Sequence, residues 1–293
     1  MLGIWKSLKK YMKNTSVSIV NKLSSGLGEL YADIDAEAKR LNIPYLVVGA
    51  MARDLVLVHG YGSKIERGTR DVDFGIKVET WEQFNSLSEG LITLGFSQDS
   101  QVSHRFKRTD KDGLPWDIDI VPFGDISDEK TEISWPPNDD FVMNVMGFRE
   151  AFDNALSVEI YDNPQVIIPV CSPIGIGLLK LVAWLDRGGD KRKKDASDIL
   201  YLITTYAKIP EVQNSIYEDG YMEANDWDDL QASADKLGCD IFGIASPSTR
   251  GFIVENLTSK QDNFQVLCRE MKGSSMYSIE ECSKYLALLL KGF

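Results

Sequence analysis

The sequence predicts an α+β fold: a mixed β-sheet flanked by helices over residues 25–170, followed by a helical lobe over 171–293. Three observations lead there. Short apolar runs at 45–48, 71–78 and 115–122 have the length and alternation of strands. The stretches 26–41 and 81–94 place apolar residues three and four apart, as half-buried helices do. From Pro173 onward the strand-like runs stop and helical spacing takes over.

The first segment, 1–24, mixes Lys6, Lys9, Lys10 and Lys13 with Leu2, Ile4, Trp5, Leu8, Tyr11 and Met12. Its lysines interrupt any apolar core, so it does not read as a secretory signal. It is expected to be a basic amphipathic helix, either packed on the body or serving as an arm toward RNA or an anionic surface. In 26–41, Leu30, Ile34, Ala38 and Leu41 share one helical side, and Asn42-Ile43-Pro44 ends that helix. Tyr45–Val48 follows as a buried strand, Gly49-Ala50 as a tight turn, and 51–59 as a helix that starts at once. Gly60-Tyr61-Gly62-Ser63 makes a loop, and 64–70 carries Lys64, Arg67, Thr69 and Arg70 up to the acidic strand 71–78.

After the helix at 81–94, residues 104–108 alternate as a strand, and Asp110-Lys111-Asp112-Gly113 is a hairpin turn. The return strand is 115–122. Residues 133–137 read as a loop, and the short runs 155–160 and 166–170 complete the sheet. Pro173 fits the start of a helix over 174–187, and a second helix runs to about Tyr206. Beyond 207 the chain is helical and acidic, either a cap and recognition lobe or plain packing.

Composition narrows the chemistry. The 293 residues, 43% of them apolar, can bury a substantial core. A net charge of −12 argues against a broad phosphate-binding surface, though a local basic groove could still hold a nucleotide or RNA. Cys171, Cys239, Cys268 and Cys282 form no Cys-x-x-Cys pair, so neither zinc nor a disulfide framework is indicated, and reduced thiols in the cytoplasm are expected. With only His59 and His104, histidine-rich metal sites are excluded. No run of about 18 apolar residues exists to span a membrane.

The chemistry concentrates in two acidic strands. Asp71 and Asp73 lie two residues apart, so both carboxylates share one face while Val72 and Phe74 take the other. Paired carboxylates repel and are costly to desolvate without a cation between them. Mg²⁺ or Mn²⁺ meets that need with one or two carboxylates, water and substrate phosphate. Asp117 and Asp119 repeat the pattern on the return strand. An Asp-x-Asp on an exposed strand is by itself often no more than solvated surface. The glycine turn upstream and the second acidic strand give it chemical meaning here.

Gly49-Ala50 after an apolar strand, then Asp71-x-Asp73, resembles the two-part signature of the DNA polymerase β-like nucleotidyltransferase superfamily. As a whole the arrangement is similar to the AbiEii-type nucleotidyltransferases, many of them toxins of bacterial toxin–antitoxin systems. The resemblance implies a nucleotidyltransferase-type sheet over 25–170 and a metal set of Asp71, Asp73 and Asp119, with Asp117 in reserve. The candidate nucleotide contacts are Gly49, Ala50, Arg53, Arg67, Thr69, Lys180 and Arg187. The family's first motif usually reads Gly-Gly or Gly-Ser; Ala50 has no hydroxyl, so only backbone contact is expected there. The loop cations either neutralise Asp71 and Asp73, or Arg67 and Thr69 touch the nucleotide.

The same family places a lysine on the first helix of the lobe and a Lys/Arg-Asp-x-x-Asp pattern on the next, matched here by Lys180 and Lys194-Asp195-Ala196-Ser197-Asp198. A helical projection gives a physical reason to take notice. Asp195 falls inside the apolar arc of Ile199, Leu202, Ile203 and Tyr206, with Asp198 at its edge, where a charge needs a partner. Lys180 or Arg187 would supply it. The group belongs to the catalytic set, or it is a structural ion pair between helices.

The expected activity is therefore transfer of a nucleoside monophosphate from an NTP to an acceptor. The resemblance points to RNA, a tRNA 3′ end, as acceptor and to a cognate antitoxin as partner. A protein-modifying enzyme, or a catalytically inactive fold acting as a regulatory binding module, is the alternative.

Overall fold

The computed structural model describes residues 16–129, 131–136 and 141–293. The chain divides into two compact units, a sheet unit that ends at Ser172 and a helical unit from Pro173 to Phe293. The helix expected over 1–24 lies mostly outside the described residues. Within them it is corrected: Ser16–Ser18 is a strand, β1, and a turn separates it from the next helix.

In the sheet unit, α1 (Ser25–Arg40) is capped by the Ser24 hydroxyl, which accepts from the Leu27 N–H. Asn42, at φ 55°, ends it in the left-handed region and delivers Pro44 to β2 (Tyr45–Val48). The chain then turns at Gly49 into α2 (Gly49–Arg53), which widens into a π-helical stretch over Asp54–Gly60. There follow β3 (Asp71–Lys77), α3 (Trp81–Thr93), β4 (Ser97–Gln98), β5 (Arg105–Thr109) and β6 (Pro115–Phe123). Next come β7 (Glu132–Ser134), β8 (Val142–Asn144), α4 (Phe148–Asp153), β9 (Leu156–Asp162) and β10 (Gln165–Val170).

Eight strands form one mixed sheet in the order β1-β9-β10-β2-β3-β6-β5-β4. β3 and β6 lie side by side and parallel at its centre, and β5 returns antiparallel to β6. Alternation sorts the two faces of this centre. Val72, Phe74, Ile118 and Ile120 are buried on one side, where Tyr31 of α1 packs edge-on to Phe74 at 6.0 Å. Asp71, Asp73, Asp117 and Asp119 stand on the other. Further along that second face Phe148 and Phe123 close over Gly75, so only its acidic end stays uncovered by them.

The loop expected over 133–137 also needs correction. Glu132–Ser134 is β7, paired antiparallel with β8. Trp135, next to it, is buried against Trp81, Phe84 and His104 with ring centroids 5.0–5.4 Å apart. This aromatic cluster holds a strand too short to show any periodicity.

The helical unit comprises α5 (Pro173–Asp186), α6 (Gly189–Thr205), α7 (Pro210–Glu218), α8 (Tyr221–Ala224), α9 (Asp229–Ile244), α10 (Pro247–Ile253), α11 (Gln261–Lys272) and α12 (Ile279–Leu290). Its starts are well signalled in the sequence. Asp228, Ser246 and Ser278 cap α9, α10 and α12, and Ser278 with Glu281 closes a reciprocal capping box. Gly238 of α9 lies so close to Leu289 of α12 that an added Cβ would meet the Leu289 backbone, 2.8 Å from its Cα. No helix among the described residues is long and apolar enough to cross a membrane.

Candidate active site

The acidic face is assembled by strand register. Asp71 pairs with Asp117 and Asp73 with Asp119 across the parallel ladder, so four carboxylates form a two-by-two grid. Asp71 is exposed and the other three are half-buried. On the far side of β3, Val48 pairs with Asp73, which brings the Gly49 turn against that carboxylate.

Gly49 is required there for two reasons. Its φ is 72°, a conformation L-residues rarely adopt. A Cβ would also meet the Asp73 carboxylate, with Cγ only 2.8 Å away. Gly49→Ala is therefore expected to lower stability by about 1–2 kcal/mol from the backbone conformation alone. By pushing Asp73 aside it should cut transfer activity by about 100-fold. Thermal unfolding and an NTP transfer assay on the same preparation check both figures. Ala50 is buried and follows the turn, and Thr69 accepts from the Asp71 N–H at 3.2 Å, fixing the entry into β3.

Asp119 is engaged differently. Its register partner on β5 is Arg105, whose Nε and Nη2 donate to Oδ1 and Oδ2, each at 2.7 Å. This is a bidentate fork with charge on both sides. The hydrogen bonds to Asp119, against the opposing effect of burial and with Asp117 and Asp71 also near, hold the Arg105 guanidinium above its usual range. Lys107, opposite Asp117, pairs instead with Asp99 at 2.8 Å.

As oxygen donors, Asp71 and Asp73 suit Mg²⁺ or Mn²⁺. Among the described residues no group of three or more His, Cys, Asp or Glu side chains is gathered closely enough to hold a metal. Both oxygens of Asp119 face Arg105. Arg53 departs from expectation. It is fully buried and ion-paired with Asp54 at 2.8 Å, so it presents no surface to a nucleotide. Arg67 and Thr69 are half-buried in the loop ahead of β3.

In the helical unit, Lys180 of α5 donates to Asp195 Oδ1 at 2.8 Å and pairs with Asp198 Oδ2 at 2.7 Å on α6. Both aspartates are buried, as their place in the apolar arc predicts, and Arg187 reaches Asp195 from the edge at 3.4 Å. Burial pushes the Lys180 ammonium down, but Asp198 and Asp195 outweigh it and hold the group above its ordinary range. Lys180 is thus the shared partner of two buried carboxylates.

Arg105 is the residue that sequence reasoning missed, although a signal existed. Once the turn is set at 110–113, hairpin pairing puts Thr109 beside Pro115 and so Arg105 beside Asp119.

The family model described as nucleotidyl transferase AbiEii toxin, type IV toxin–antitoxin system, matches residues 34–238. No curated protein matches the chain. Among solved structures, an antigenic nucleotidyltransferase-like protein from Paracoccidioides brasiliensis is 21% identical over 71% of this chain and 94% of its own, with a TM-score of 0.42. The antibiotic-resistance factor ANT(2'')-Ia is 17% identical over 70% and 97%, with a TM-score of 0.36. A Thermotoga maritima CCA-adding enzyme, complexed with tRNA, is 13% identical over 94% and 80%, with a TM-score of 0.28.

Proposed function

The chain belongs to the AbiEii nucleotidyl transferase toxin family, and on that premise we propose that it moves a nucleoside monophosphate from an NTP onto the 3′ hydroxyl of an RNA, a tRNA end, releasing pyrophosphate. One observation carries this reading: Asp73 sits beside the Gly49 turn, two residues from Asp71 and in register with Asp119. Asp71 and Asp73 would hold Mg²⁺ or Mn²⁺, which when bound neutralises triphosphate charge and promotes in-line displacement. Gly49 and Ala50 would offer backbone to the phosphates, and Thr69 with Arg67 would line the approach. Asp119 would share the catalytic cation and help deprotonate the attacking hydroxyl. Lys180, Asp195, Asp198 and Arg187 enter as a preformed charged group whose catalytic share is tested below. A cognate antitoxin is the expected partner and the cytoplasm the expected compartment.

A second reading has its own support. Arg105 on Asp119, together with Ala50 in place of a second glycine or a serine, favours a silent fold that binds rather than reacts. Incubation with each α-labelled NTP, Mg²⁺, total RNA and lysate separates the possibilities. Label on RNA is the expected result. Label on protein would redirect the acceptor, and label on neither would leave the binding module.

A further inference from the structure

We propose that Arg105 is a positioning residue that gates Asp119, releasing it to a divalent cation only when a nucleotide triphosphate draws the guanidinium away. The inference rests on the metal-dependent reading above and goes beyond it in naming the control. Both Asp119 oxygens are satisfied by Arg105 at 2.7 Å, so a cation cannot take this carboxylate without displacing at least one of those bonds. Arg105 is not locked by burial, since its side chain is 34% exposed, twice the 17% of Asp119. It also stands over a face that carries four carboxylates, so leaving Asp119 unpartnered would add to their mutual repulsion.

A triphosphate resolves this balance. A guanidinium fork binds phosphate oxygens in the same bidentate geometry as a carboxylate, so exchange from Asp119 to a phosphate keeps both hydrogen bonds. The freed carboxylate then becomes the oxygen donor that Asp71 and Asp73 lack. Nucleotide and cation must consequently bind with mutual reinforcement, and linkage requires each to tighten the other by the same factor.

The test measures Mn²⁺ binding by electron paramagnetic resonance of the free ion, with and without α,β-methylene analogues of the four NTPs. In the unmodified protein, Mn²⁺ should bind about tenfold more tightly with its preferred analogue than without. Arg105→Gln should give the tighter affinity without nucleotide, and the gain on adding analogue should shrink toward none. Arg105→Lys, which keeps the charge but not the fork, should fall between them. Adding Asp119→Asn to Arg105→Gln should return Mn²⁺ affinity to the weaker level of the unmodified protein without nucleotide. Unchanged Mn²⁺ affinity and coupling in Arg105→Gln, while Asp73→Asn still abolishes Mn²⁺ binding, would overturn the gate and leave the metal site standing. No Mn²⁺ binding to the unmodified protein under any condition would overturn both.

Discussion

Asp73→Asn is expected to reduce metal-dependent nucleotide transfer by at least about a thousandfold, since a cation at this point supplies several kcal/mol to the displacement. The change keeps the shape of the side chain and removes its charge. Asparagine still fits beneath Gly49 and across from Val48 and Asp119, so the fold should survive. Thermal unfolding without metal should therefore match the unmodified protein, while the stabilisation given by Mg²⁺ with an NTP should disappear. Excess chelator should reproduce the loss in the unmodified protein, and added Mg²⁺ should reverse it. Transfer that persists in Asp73→Asn would remove this carboxylate from the catalytic set.

Lys180→Met carries the largest structural effect, a loss of about 3–5 kcal/mol. Methionine fills much of the same space but removes the cation that pairs with both buried aspartates, while Arg187 stays 3.4 Å from Asp195. The pH dependence follows from the raised Lys180 value. A lysine with a raised folded pKa contributes its stabilisation in full below the unfolded value of about 10.4, and loses it only as pH climbs through the higher folded value. The deficit of the variant should thus stay level from neutral pH to about pH 10. Urea unfolding at several pH values measures it. Lys180→Arg then separates scaffolding from catalysis: folded protein with normal transfer assigns the group to packing, and folded protein without transfer assigns it to the reaction.

What could be read from the letters follows from range. The alternation Asp71-Val72-Asp73-Phe74 is local, and burial of the two apolar side chains forces both carboxylates to the opposite face. Asp195 was legible for a similar reason: a charge inside an apolar helical arc demands a partner, and Lys180 is there. The elements that escaped are short and held from a distance. β1 has three residues with only Val17 buried, and it exists because β9, about 140 residues later, offers a parallel edge. β7 owes its place to the ring of Trp135 among distant aromatics. Arg53 misled because a motif cation in front of a phosphate loop and a buried cation tied to Asp54 look alike in one dimension.

The side-by-side run of β3 and β6 makes the reactive face intolerant of length change. The grid of aspartates has no spacing of its own; it inherits the pitch of seven consecutive paired rungs, from Asp71 with Asp117 to Lys77 with Phe123. Slippage by one rung would turn isoleucines outward and bury charge. Variation in length among relatives of this chain should therefore fall outside these seven rungs.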